Sequence, residues 1–119
     1  MSMGDQRLPR AFRLSKRGDF QRAYRRRCSA ADGVLLVFGH ANGLPFPRLG
    51  LSVSRKVGNA VARNRWKRRI REAFRLAREH LPAGIDLVVI PRAEAEPPLS
   101  DLRQSLVRLS GRVARKLER

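Results

Sequence analysis

Six cations, Arg63, Arg65, Lys67, Arg68, Arg69 and Arg71, fall within the nine residues RNRWKRRIR. Charges closer than a Debye length of about 8 Å act together at physiological salt, so this run creates a strong local positive potential suited to phosphate. Other chemistry is scarce. Cys28 stands alone, and His40 and His80 lie at no ligand spacing from it or from a carboxylate pair. That excludes an intramolecular disulfide and argues against a zinc site made of protein ligands. The ten acids are scattered among basic residues and offer no carboxylate pair for general acid–base work. The side chains are equipped to bind a polyanion and carry no protein-only active site.

The whole chain repeats this bias. Its 119 residues hold 27 Lys+Arg against 10 Asp+Glu, a formal charge of +17, and only four of the cations are lysine. Such a surface repels itself and is best explained by a polyanionic partner, with nucleic acid ahead of an anionic membrane. No apolar run approaches the roughly 20 residues of a membrane span. The start, MSMGDQRLPR, lacks the apolar core of a secretory signal. A cytoplasmic protein is expected, in keeping with one unpaired cysteine. Length allows one domain, and 42% hydrophobic residues allow a real core.

The elements that must position the cations follow from periodicity. Residues 1–13 carry Gly4, Pro9 and three arginines without apolar spacing and are expected to form a mobile basic arm, leaving 14–119 as the folded domain. A helix capped by Ser15 is predicted to run to about Arg27, with Phe20, Ala23 and Tyr24 on one face. Val34 to Phe38 and Arg48 to Ser54 read as strands joined through the turn-rich Asn42–Pro47, in a β-hairpin. From Asn59 to about Leu81 the pattern is helical, and Ala62, Trp66, Ile70, Ala73, Phe74 and Ala77 share an arc of roughly 120°. Asn64, Lys67, Arg68, Arg71, Arg75 and Arg78 occupy the next arc, so the cations form a stripe, while Arg69 falls off it. Ile85 to Ile90 reads as a strand buried on both faces or central in its sheet. After Pro97-Pro98 an amphipathic helix follows, with Leu99, Leu102, Leu106, Leu109, Val113 and Leu117 in step. No internal repeat is visible. The expected fold class is an α+β or α/β two-layer sandwich, a small sheet with helices on one face and the other able to stay open.

Residues 50–74, GLSVSRKVGNAVARNRWKRRIREAF, closely resemble the signature of the protein subunit of bacterial ribonuclease P, whose hallmark is an Arg-Asn-Arg helix. The likeness continues more weakly through Arg13-Leu14, Ser15-Lys16 and Asp19-Phe20 and on to the closing helix. It implies a sandwich like the second domain of a small-subunit ribosomal protein, with a left-handed βαβ crossover around the Arg-Asn-Arg helix. It also implies a division of labour. A catalytic RNA subunit, which binds most of the magnesium, would hydrolyse the bond joining the 5′ leader of precursor tRNA to the mature tRNA. The protein would aid substrate binding and choice, with no DNA or membrane partner.

Carried onto this chain, the resemblance places Phe20, Tyr24, Leu36 and Phe38 in a cleft for the single-stranded leader. Aromatic faces hold unpaired bases by stacking without demanding one base, although an i, i+4 aromatic pair is on residue types alone more often core. Arg63, Arg65, Lys67, Arg68 and Arg71 would contact phosphates of the catalytic RNA, and Asn64 would make a polar contact from the same helix. Arg55, Lys56 and Arg25-Arg26-Arg27 would add secondary contacts, while Trp66 would point inward as a core anchor. Two alternatives stay open here: a general RNA-binding or ribosome-assembly protein, and a stand-alone nuclease, which needs acids or histidines in an arrangement the sequence lacks.

Overall fold

Ile85, Asp86, Leu87, Val88 and Val89 are all buried, which for a strand means cover on both faces. In the computed structural model, which describes residues 8–92 and 96–118, this segment is β4 (Ile85–Pro91), a central strand of a four-stranded sheet. The remaining elements are α1 (Arg17–Arg26), β1 (Ser29–Ala31), β2 (Leu35–Ala41), β3 (Arg48–Leu51), α2 (Ala60–Ala77) and α3 (Leu99–Leu117). Strand order is β1-β2-β4-β3. β4 runs antiparallel to β2, with Phe38 opposite Val88, and parallel to β3, with Gly50 opposite the same Val88.

The hairpin expected between residues 34–38 and 48–54 does not form, because β4 is inserted between β2 and β3. The hairpin partner of β2 is β1, which the sequence pattern does not reveal. Ser29-Ala30-Ala31 is short and has no large side chain to alternate, so nothing local marks it as a strand. Asp32 makes the turn between them: its Oδ1 accepts from the N–H groups of Val34 and Leu35 at 2.8 and 2.9 Å. Strand β3 ends at Leu51 and does not extend to Ser54, though Ser52 N–H still donates to the Val89 carbonyl at 3.1 Å.

Period-2 alternation then assigns each face. Leu35, Val37, Leu49, Leu87 and Val89 pack with Trp66, Ile70 and Phe74 of α2 and Leu102, Leu106 and Leu109 of α3 in the main core. Val88 points the other way, into a smaller cluster with Leu14 and Ala23, flanked by Phe20 and Phe38. Thus α2 and α3 cover one face, and α1 covers only part of the second. Gly50 permits this close approach, since a Cβ there would lie 2.9 Å from the Phe20 ring. Helix α1 begins after Lys16, not Ser15, and has no side-chain cap; Asp19 supplies negative charge in its first turn.

The basic segment expected to be mobile through residue 13 is anchored from Leu8 onward. Leu8 is 2% exposed, and Phe12 packs against the core with its ring edge-on to Phe46 at 4.9 Å. Leu14 N–H donates to the Leu49 carbonyl at 2.8 Å, so this segment covers the outer edge of β3. Residues 1–7 of the expected arm lie outside the described residues.

Asp32 ties the β1–β2 turn to α3, accepting from Ser105 Oγ and from Arg108, each at 2.6 Å. Burial pushes its carboxyl up, but Ser105, the Leu35 and Val34 N–H groups and Arg108 outweigh that and hold it at about 2, against an ordinary 3.8. A depressed carboxyl stabilises the fold fully above its unfolded value and loses that contribution as pH falls through the folded one. The stability difference between wild type and Asp32→Asn, from urea unfolding, is therefore expected to be constant above about pH 4 and to shrink toward pH 2. A difference that does not change over that window would count against the assignment.

Candidate RNA interface

Helix α2 is built to present charge. Asn59 caps it, its Oδ1 accepting from Ala62 N–H at 2.9 Å, and the preceding Gly58 has a φ of 150° that a β-carbon would strain. Trp66 is 2% exposed and anchors the inner face with Ile70, Ala73, Phe74 and Ala77, as their shared arc requires, while Ala62, in the first turn, is only half-buried. This fixes the rotation of the helix, and with it the outward direction of Asn64, Lys67, Arg68 and Arg71.

The structure divides the cations of α2 into two groups. Arg65 Nε donates to Glu96 at 2.6 Å, Arg69 lies 3.7 Å from the same carboxylate, and Arg75 pairs with Glu72 at 2.5 Å. Just beyond the helix, Arg78 stacks over the Phe12 ring at 4.4 Å. Arg63, Lys67, Arg68 and Arg71 have no carboxylate partner among the described residues. Of the phosphate contacts expected on α2 from the sequence, Arg65 is therefore the one already held by an internal acid. Arg55 and Lys56 are exposed in a short 3-10 turn just before α2, beside this unpaired flank.

Lys67 and Arg71 also converge with Arg13 on a small cleft of about 120 Å³, lined by Phe20, Leu14, Leu49 and Leu51. Burial, and then the Arg13 charge, hold the Arg71 guanidinium below its ordinary range. Among the described residues no carboxylate lines this cleft, so an anion entering it would meet three cations at once. Composition assigns Arg13 to the arm; only its place beside β3 reveals this position. The cleft also brings Phe20 to the cations of α2, so one aromatic borders both surfaces.

The remaining aromatics lie across the second sheet face. Tyr24 of α1 meets Phe38 of β2 edge-on at 5.1 Å, and Leu36 lies two residues from Phe38 on the same side of the strand. Tyr24 is 36% exposed, and Leu36 and Phe38 are half-buried. Phe20 is more enclosed, against Leu14 and Gly50. Arg25, Arg26 and Arg27 are exposed at the end of α1, next to this open area.

An ionic lock around a buried acid links α1 to the sheet. Asp86, fully buried, accepts from Arg48 Nε and its terminal nitrogen at 2.8 and 2.7 Å and from Asn42 at 2.9 Å. The same guanidinium lies 4.0 Å from Asp19 of α1. The hydrogen bond to Asp86 raises the Arg48 pKa further. Most other carboxylates with a partner are likewise held by arginines, and among the described residues no three of His, Cys, Asp or Glu come together for a metal. This donor set does not fit a magnesium cage.

A sheet with one half-open aromatic face, beside a helix whose outer flank is cationic and unpaired, is the arrangement of a nucleic-acid-binding protein of the α+β class. The ribonuclease P family model matches residues 8–114. The ribonuclease P protein component of Brevibacillus brevis is 41% identical over 107 residues, 88% of this chain and 85% of that one. That of Oleidesulfovibrio alaskensis is 42% identical over 92 residues, 76% and 74% of the two. The ribonuclease P protein of Thermotoga maritima superposes with a TM-score of 0.76 at 35% identity, covering 84% of this chain and 96% of that one. The Staphylococcus aureus protein gives 0.72 at 38%, covering 84% and 93%. The chain belongs to the ribonuclease P protein family, the protein components of an endoribonuclease that assist removal of the 5′ leader from precursor tRNA.

Two variants, one single and one double, test the two surfaces separately. Tyr24→Ala is expected to reduce the affinity gained from a leader by about 1–3 kcal/mol, measured as precursor against mature tRNA binding in the presence of ribonuclease P RNA. Arg68→Ala combined with Arg71→Ala is expected to flatten the salt dependence of RNA association, by about 0.7–0.9 in log–log slope for each phosphate that is no longer neutralised. A folded double variant with an unchanged slope removes both residues from the interface.

Proposed function

We propose that this chain is the non-catalytic subunit that docks on ribonuclease P RNA through α2 and holds the precursor tRNA leader across α1 and the sheet. Arg63, Asn64, Lys67, Arg68 and Arg71 bind the catalytic RNA, helped by Arg55 and Lys56, while Arg65 stays paired with Glu96. Phe20, Tyr24, Leu36 and Phe38 form the leader cleft. The observation that carries this reading is the segregation of unpaired cations onto one flank of α2, adjoining Phe20 through the Arg13 cleft.

Hydrolysis belongs to the RNA subunit and to the magnesium it binds. The protein's contribution is charge and position: its cations replace counterions along folded RNA, and its aromatic face immobilises a strand that would otherwise move freely. Among the described residues no helix is long and apolar enough to cross a membrane. A cytoplasmic location, with RNA and neither DNA nor lipid as partner, suits this work.

Reconstitution tests the proposal directly. The purified chain, added to a bacterial ribonuclease P RNA at low magnesium, is expected to restore leader removal that the RNA alone performs poorly. Absence of stimulation would overturn it. Equal affinity for precursor and mature tRNA in that complex would instead support a general RNA-binding protein.

A further inference from the structure

Glu96 lies between β4 and α3 and reaches across to α2. Its Oε1 accepts from Arg65 Nε at 2.6 Å, its Oε2 lies 3.7 Å from Arg69 Nε, and the neighbouring Pro97 carbonyl accepts from Arg69 at 3.0 Å. The carboxylate is 19% exposed and the Arg65 side chain 60%. In a chain of charge +17, a carboxylate beside the Arg-Asn-Arg segment works against binding of any polyanion. The arginine it holds most closely is largely in solvent, so that pair adds little to the packing of the core.

We propose that Glu96 is a specificity-determining residue that sets the edge of the RNA footprint on α2. This rests on the reading that the unpaired flank of α2 binds ribonuclease P RNA. Phosphates following Lys67, Arg68 and Arg71 leave the Glu96–Arg65 pair intact. A strand that spreads past them must displace Glu96 from Arg65, and the released carboxylate then faces phosphate. RNA of the right shape does not meet this repulsion, whereas flexible RNA that wraps the helix does. Glu96 thereby weakens indiscriminate binding more than binding of the proper partner.

The test compares wild type, Glu96→Gln, and Arg65→Ala with Glu96→Gln for binding to oligouridylate and to a bacterial ribonuclease P RNA over a salt series. Glu96→Gln is expected to tighten oligouridylate binding about three- to tenfold at about 0.1 M salt and to steepen its log–log slope by about 0.7. Its affinity for ribonuclease P RNA should change less than about twofold, and adding Arg65→Ala should cancel the gain. Unchanged oligouridylate affinity and slope, or weakened binding to ribonuclease P RNA, would overturn the proposal. Glu96→Ser, also uncharged, replaces Glu96→Gln if that variant unfolds. Arg68→Ala with Arg71→Ala runs in parallel: if it flattens the slope while Glu96→Gln does nothing, only the Glu96 proposal falls. If it too does nothing, the assignment of α2 falls first.

Discussion

Carboxylates are the scarce component of this molecule, and where the fold places them decides what the surplus of cations can do. Two are buried where α1 meets the sheet. Asp86 and Asp19 flank Arg48 there, in surroundings where removing one partner would leave an uncompensated charge at a cost of about 3–5 kcal/mol. Asp32 secures the β1–β2 turn against α3. Glu72 and Glu96 hold arginines on α2. The interior thus takes its acids for alignment, and the outer flank of α2 keeps its positive charge because none of the described acids is placed there.

That distribution connects packing to binding. Trp66 and Phe74 fix the rotation of α2, and the parallel β3–β4 pair fixes where the helix starts. The Arg48 lock and the Phe20–Gly50 contact fix α1 over the opposite face. Each surface is therefore carried by a rigid element seated on the same central strand, with Val88 touching the α1 cluster and Leu87 and Val89 the α2 side. The two surfaces hold a constant relation to each other. This is the property a small protein needs if it is to align a flexible strand with a large folded RNA.

Local periodicity makes part of this legible in the sequence alone. The arcs of α2 emerge because helix rotation repeats over eighteen residues, and β4 stands out through the apolar run Leu87-Val88-Val89-Ile90. The closing helix shows the same regular step. What stays hidden depends on partners distant in sequence. Ser29-Ala30-Ala31 is a strand only because Leu36 and Phe38 lie opposite. β2 and β3 look like a hairpin until β4, from much later in the chain, enters between them. Arg13 looks like part of a loose tail because the burial of Leu8 and Phe12 leaves little periodic trace in so short a segment. Glu96 carries no signal at all, since an acid in a short connection gains meaning only from the arginines it reaches.

Phe20 shows why aromatic residues resist classification by type. Its ring packs on Leu14 and Gly50, as a core residue would, yet it also lines the cleft where Arg13, Lys67 and Arg71 converge. The two roles support one another. Packing holds the ring still, so a base or ribose laid against it loses less entropy than on a free side chain, while the apolar wall lowers the local dielectric and strengthens the attraction of the three cations for phosphate. In the free protein the Arg71 guanidinium is disfavoured first by burial and then by the charge of Arg13. Any anion that binds there offsets both penalties and stabilises the native state by mass action. Binding of an anion and stability of the fold would be coupled at this point, through residues that a purely apolar core would have excluded.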